Sequence, residues 1–198
     1  MARPSNTADR QREIVDGLLE VIATEGYERA SIARIAQAAE LAPGLVHYHF
    51  ESKQEVLLAL LDRLATLVRD RFERRYGEDP LVVLDAFIDA HLALDDDAEP
   101  RAVAAWVVIG AEALRQPRVR ERYQAVVAQR LAQLDAIVET CLRAAHGHAR
   151  GKRAVAAGIL AAIEGAYQLS AAAPGAMPRG GAATTVRRMA HALVGGAV

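Results

Sequence analysis

Residues 31–50 read SIARIAQAAELAPGLVHYHF, and their spacing predicts two short helices around a tight turn. The Ser31 hydroxyl suits the cap of the first helix, and Pro43 fits the opening turn of the second. Small Ala36 lets the two helices approach, while Ile35, Leu41, Val46 and Phe50 can form the buried face. At about 100° per residue, Gly44 and Tyr48 lie opposite Val46, with Leu45 and His47 on its flanks. The second helix therefore has an outward edge, and a DNA major groove is wide enough to admit one helix.

On the N-terminal side, Ile14, Val15, Leu18, Leu19 and Ile22 recur at helical spacing and stop at Gly26. On the other side, Ser52-Lys53-Gln54-Glu55 reads as a capping box. It opens a fourth helix running through Val56, Leu57, Leu60, Leu61, Leu64 and Val68 to Gly77, long enough to bridge two domains. Asp79-Pro80 and Glu99-Pro100 open a fifth and a sixth helix, separated by an acidic Asp95-Asp96-Asp97 loop, and Pro117 opens a long seventh ending at Gly147. An eighth spans about Gly151 to Ala173, and a Pro/Gly-rich stretch from Pro174 to Gly181 precedes a ninth reaching Val194. The expectation is an all-α protein of nine helices. Residues 1–53 form a three-helix helix-turn-helix domain, and residues 54–198 form a ligand-binding and dimerisation domain, with the fourth helix, from residue 52, as the link.

Composition agrees with helices: 52% of the 198 residues are apolar, yet only 3 are Phe and 1 is Trp. No basic-then-apolar N-terminal signal is seen, and no apolar run is expected to reach the roughly 20 residues of a membrane span. A cytoplasmic protein without a membrane partner is expected. The single Cys141 lies in an apolar helical pattern, which excludes an internal disulfide and points to a buried structural thiol. The net charge is −1, and residues 1–53 carry 6 Lys and Arg against 8 Asp and Glu. DNA contact must then come from placement, with Glu13, Asp16 and Glu20 facing away and Arg3, Arg10, Arg12 and Lys53 facing phosphates.

The run IAQAAELAPGLVHYHFESKQEVL, residues 35–57, resembles the signature of the TetR family of transcriptional regulators. There a helix-turn-helix ends in an aromatic-rich recognition helix followed by Phe, a capped turn and Lys; the likeness covers about the first 60 residues. His47-Tyr48-His49-Phe50, together with WVVIGAEALRQPRVRERY at residues 106–123, is similar to the choline-responsive BetI-like subgroup. The resemblance implies a repressor that binds a palindromic operator on double-stranded DNA as a homodimer and is released by a small-molecule effector, with no cofactor. Glu40 departs from the pattern, standing where the family usually has Gly in a left-handed turn. His47 stands where many members have Tyr, so its protonation could make binding pH-sensitive.

The residues expected at DNA are Ser31, Arg34, Pro43, Gly44, Leu45, His47, Tyr48, His49, Ser52 and Lys53. Pro43, Gly44 and Leu45 can read sequence only by close approach and contact with thymine methyl groups, whereas Tyr48, Lys53 and the two cap hydroxyls suit phosphates. Arg34 could serve either. For an effector pocket the candidates are Phe87, His91, Trp106, Ile109, Gly110, Tyr123, Glu164 and Tyr167, each with ordinary core packing as the alternative. Were the ligand a quaternary amine, Trp106 and Tyr167 could supply ring faces and Glu164 or Glu112 the counter-charge. Small residues on the last two helices (Gly158, Ala161, Ala162, Gly165 and Ala166 on one, Ala190 and Ala192 on the other) allow close helix approach. In the family resembled these helices form the dimer interface, which here would include Gly158, Ala161, Ala162, Gly165, Met189 and Leu193. No metal site is expected: His47 and His49 diverge by about 200° on a helix, and His146-Gly147-His148 reads as a solvated loop. No nucleophile elbow, P-loop or dinucleotide fingerprint occurs, so an enzyme is not expected. The competing reading is a ligand- or partner-binding helical protein without DNA affinity.

Overall fold

Among the described residues of a computed structural model, 7–75, 77–93 and 100–196, there are nine α-helices and no strand. They are α1 (Thr7–Glu25), α2 (Ile32–Ala38), α3 (Pro43–His49), α4 (Lys53–Glu73), α5 (Pro80–Leu92), α6 (Pro100–Ala113), α7 (Pro117–His146), α8 (Lys152–Ala172) and α9 (Gly181–Gly195). Local chemistry sets their ends. The Ser31 hydroxyl accepts from the Arg34 N–H at 3.2 Å, and the Asp79 carboxylate accepts from the Leu81 N–H at 2.8 Å. Gly26 leaves α1 with φ of 82°. The Asp95-Asp96-Asp97 loop, Glu99 and Arg3 lie outside the described residues.

The turn between α2 and α3 is a Schellman motif. The Leu41 N–H donates to the Ala36 carbonyl at 2.8 Å and the Glu40 N–H to that of Gln37 at 3.2 Å. This pattern requires a left-handed residue between them, and Glu40 adopts it with φ of 56°. It is the non-glycine residue of positive φ among those described.

The helices group into two compact units. The first takes the described residues of Met1–Leu64 and Pro100–Tyr123. Its core holds Ile14, Leu18, Ile35, Val46, Leu57, Leu60, Leu61 and Ile109, all fully buried. Burial of each such side chain contributes roughly 1.5–3 kcal/mol. Gly17 sets the closeness of α1 to α2, because a Cβ there would meet the Ile35 carbonyl oxygen at 2.7 Å and the Ala39 Cβ at 2.9 Å. The second unit takes the described residues of Ala65–Glu99 and Gln124–Val198, with Leu84, Phe87, Ile88, Leu134, Ile159 and Ile163 in its core. Two helices, α4 and α7, contribute to both units. Cys141 is buried and donates to the Pro80 carbonyl at 3.2 Å; burial, with Asp79 adding, pushes its thiol up to about 11.

Several expectations need correction. Helix α4 ends at Glu73, before Gly77. Leu41 is half-buried, since it stands at the rim of the turn. The Glu55 carboxylate accepts from the Glu51 N–H at 2.9 Å, so the box at Ser52 is closed on one side by the serine alone. Finally, α8 is by length and composition apolar enough to cross a membrane. Its many Ala residues add to the apolar average, yet one face packs into the second unit through Val155, Ile159, Leu160 and Ile163.

Candidate nucleic-acid interface and effector core

Helix α3 is anchored by one residue. Val46 is fully buried in the first unit, and Phe50, just past the helix, is buried beside it in sequence. The opposite face is open. Pro43, Gly44, His47 and Tyr48 are exposed, Leu45 and His49 are half-buried, and Tyr48 is 80% exposed. The Tyr48 and His49 rings meet edge-on at 5.0 Å. No Cβ added at Gly44 would meet anything within 4 Å, so the glycine leaves room for an outside surface.

Around α3, Ser31 is exposed and Arg34 is exposed but tied to Glu25 and Gln37. Ser52 and Lys53 are half-buried. Lys53 is turned inward: its ammonium donates to the Tyr27 carbonyl at 3.1 Å and sits 4.3 Å from the centre of the Tyr27 ring. Tyr27, Ser52, Lys53, Gln54, Glu112 and Gln116 line an open cleft of about 430 Å³. Burial raises the Tyr27 phenol above its ordinary range, partly offset by its hydrogen bond to Gln116.

The acid excess of the N-terminal segment is matched from within the same unit. Asp16 pairs with Arg63 of α4, Glu20 with Arg101 of α6 at 2.5 Å, and Glu28 with Arg115 at 3.3 Å. Arg10 pairs with Glu13 at 2.6 Å and Arg12 with Asp9. These pairs are largely exposed, so each adds little stability; their effect is on the field. On α1, Asp16 and Glu20 are thus partnered by arginines of α4 and α6, Asp9 and Glu13 by arginines of α1 itself, and Glu25 by Arg34 of α2.

The eight expected effector residues fall into two groups. Trp106, Ile109, Gly110 and Tyr123 belong to the first unit, where the Trp106 and Tyr123 rings lie 4.9 Å apart and the missing side chain of Gly110 leaves space for the Tyr123 hydroxyl. Phe87, His91, Glu164 and Tyr167 belong to the second. There the His91 ring lies 4.6 Å from Phe87 and 6.4 Å from Tyr167, and a buried guanidinium, Arg130, lies 3.8 Å from Glu164. The periodicity of α7 gave no reason to single out Arg130, although a charged residue on an otherwise apolar stripe was its available signal. The ring pair imagined for a quaternary amine, Trp106 with Tyr167, is divided between the units, and Glu112 joins the cleft of the first. Burial and then Arg130 hold His91 down to about 3, so it is neutral. Burial raises the Tyr167 phenol well above its ordinary value.

On α8, Gly158, Ala161 and Gly165 are exposed and Ala162 is half-buried; on α9, Met189 and Leu193 are exposed. Neither Gly158 nor Gly165 has any atom within 4 Å of a built Cβ. Ala166 and Ala190 are instead buried inside the unit.

A model of the N-terminal region of bacterial regulatory proteins of the tetR family matches residues 14–60, and one of the BetI-type transcriptional repressor C-terminal region matches residues 80–195. The chain belongs to the TetR family. Its C-terminal portion is of the BetI type, in line with the resemblance at residues 106–123. Among TetR-family relatives, the HTH-type transcriptional regulator BetI of Rhizobium meliloti is 32% identical over 124 residues, 62% of this chain and 60% of that protein. The match to BetI of Pseudomonas aeruginosa PAO1 is 30% over 126 residues, 62% of this chain and 63% of that protein. The chain thus spans under two thirds of the curated relatives it matches. A transcriptional regulator from Rhodococcus superposes with a TM-score of 0.81 at 22% identity, over 94% of this chain and 96% of that one. A regulator from Saccharomonospora viridis, solved with choline, superposes with a TM-score of 0.76 at 21% identity over the same shares. These likenesses extend the TetR-type fold across nearly the whole chain.

Proposed function

We propose that this protein is a one-component transcriptional repressor, acting in the bacterial cytoplasm, that binds a palindromic operator as a homodimer and leaves it when a small-molecule effector binds. The observation that carries the reading is α3. A seven-residue helix held by a fully buried Val46 turns a glycine, a histidine and an 80% exposed tyrosine outward, on a unit of a TetR-family chain. A large aromatic left in water beside an open backbone edge suits a groove and its phosphates. Tyr48, His47 and the Ser31 and Ser52 hydroxyls serve as contacts, with Gly44 and Leu45 at base edges. Lys53 positions α4 against Tyr27 with one N–H and keeps its other two donors for a phosphate.

The exposed stripe of α8 and α9 supports the dimer. Small residues that no neighbour in the chain requires, flanked by exposed Leu169, Met189 and Leu193, form the surface a second copy would cover. Effector control runs through the second unit and the two helices it shares with the first, α4 and α7. A ligand needs only a differential affinity for two arrangements, typically 1–3 kcal/mol of coupling, to change operator occupancy. A gel shift with DNA flanking the protein's own gene, repeated with candidate effectors, tests the reading. Specific binding as a dimer supports it, and failure to bind any such fragment overturns it.

A further inference from the structure

The second unit buries a histidine with half of its hydrogen-bonding capacity unmet. His91 is 5% exposed, and its Nδ1 lies 2.8 Å from the Phe87 carbonyl oxygen. A carbonyl only accepts, so Nδ1 carries the proton, and Nε2 of the neutral ring is a bare acceptor. Nε2 is buried and has no hydrogen-bond partner. The group that completes it must therefore be a donor, and the rings beside the imidazole, Phe87 and Tyr167, are aromatic.

The sign of the local field narrows the donor further. After burial, the charge of Arg130 acts most strongly against protonation of His91, and Arg71 adds to it. Whatever repels a proton from this ring also repels an ammonium placed against it. Glu164, 3.8 Å from Arg130, acts on Tyr167, whereas the two guanidiniums act on His91. An uncharged hydroxyl meets both demands: it donates to Nε2 and brings no cation.

We infer that His91 Nε2 is the specificity-determining acceptor of an effector site in the second unit, and that it takes the hydroxyl of an uncharged alcohol with an apolar body. The inference rests on the reading that this unit binds the effector. It gives that reading a substrate class and separates this chain from a site built around a cation.

Calorimetric titration and thermal melting of the full-length protein, with the 1-alkanols from propanol to octanol and with benzyl alcohol, test the inference. Ethylbenzene and benzylamine serve as near-isosteric hydrocarbon and ammonium controls. At least one alcohol should bind and raise the melting midpoint, and the alcohol should bind about tenfold or more tightly than its hydrocarbon counterpart. His91→Phe should erase that preference, while His91→Gln, which keeps an acceptor, should retain it. Imidazole nitrogen NMR of the wild type should show an unprotonated Nε2 whose signal moves when alcohol is added, a readout that stands even where His91→Phe fails to fold. Binding of no alcohol in the series overturns the inference and leaves the acceptor to a buried water. So does equal binding of hydrocarbon, tighter binding of benzylamine, an Nε2 signal that stays still, or a preference that survives in His91→Phe. A wild type that binds flanking DNA but no alcohol refutes this inference alone; a wild type that binds no DNA refutes the repressor reading.

Discussion

Replacing Glu40 with glycine should stabilise the protein, because glutamate holds a backbone conformation there that suits glycine. With φ of 56°, its Cβ crowds the carbonyl, a cost of roughly 1–2 kcal/mol for a non-glycine residue. Glycine removes that cost and keeps both hydrogen bonds of the turn, Leu41 to Ala36 and Glu40 to Gln37, since these are backbone bonds. Against it stands the larger freedom of glycine in the unfolded chain, roughly 0.4–1 kcal/mol. A carboxylate just past the C-terminal end of α2 faces the negative end of the helix dipole, so its loss adds a few tenths of a kcal/mol. The net expectation is a gain of about 1 kcal/mol, or roughly 2–4 °C in Tm for a chain of this length. Urea melts at one fixed protein concentration should show a higher midpoint at unchanged slope. Glu40→Ala supplies the control: it removes the charge but keeps the Cβ, so it should gain only the few tenths. If Glu40→Gly is no more stable than Glu40→Ala, backbone strain at this turn is refuted.

Further outcomes follow from the same geometry. Gly17→Ala should lose about 1–2 kcal/mol in a denaturant melt despite the better helix propensity of alanine, because the added methyl meets the Ile35 carbonyl and Ala39. Lys53→Ala should lower stability by about 0.5–1 kcal/mol through its contact with Tyr27, whereas Tyr48→Phe should weaken operator binding in a gel shift and leave the melt unchanged. At Gly165 an added Cβ meets nothing within 4 Å, so Gly165→Leu should still fold, as a monomer read by light scattering, and lose operator affinity in parallel. For His91 the folded value of about 3 lies below the unfolded value of 6.5, so the unfolded chain binds one more proton between them. Wild-type stability should therefore fall as pH drops from about 6.5 toward 3, and His91→Phe should fall less steeply, by up to about 1.4 kcal/mol per pH unit.

What could be read from the sequence was what is settled within a few residues. Ser31, Asp79 and Gly26 fix helix ends through bonds to neighbours two to four positions away, Pro43 and Pro80 do so through their fixed φ, and each stands at the end it marked. Glu40 is different: the six-residue Schellman turn is itself local, but the left-handed position was marked by the family resemblance, since a glutamate gives no local signal for it. Periodicity also identified which side chains face inward, and Phe87, His91, Trp106, Ile109 and Tyr167 are all buried. It carried no information on which neighbour each one meets. The eight effector candidates were therefore grouped by chemistry, while packing divided them between two units. The small residues of α8 and α9 divide in the same way: Ala166 and Ala190 face the core, and Gly158 and Gly165 face outward, one helical register apart.

Charge shows the same distinction most sharply, because a count weighs every residue equally whereas a ligand responds to the field at one place. The N-terminal segment is acidic by count, which argues against DNA. Its acids, however, are answered by arginines distant in sequence: Asp16 by Arg63, Glu20 by Arg101 and Glu28 by Arg115. Two of those three arginines lie on or just past α6, which packs with the N-terminal helices although it lies far downstream. A helix placed there does two things at once, packing against α1 and pairing with its Glu20. Glu40 and Glu51, which flank α3, are exposed and outside these pairs, so the charge balance is met around α1, and a net charge of −1 does not by itself describe the field that a phosphate meets at α3.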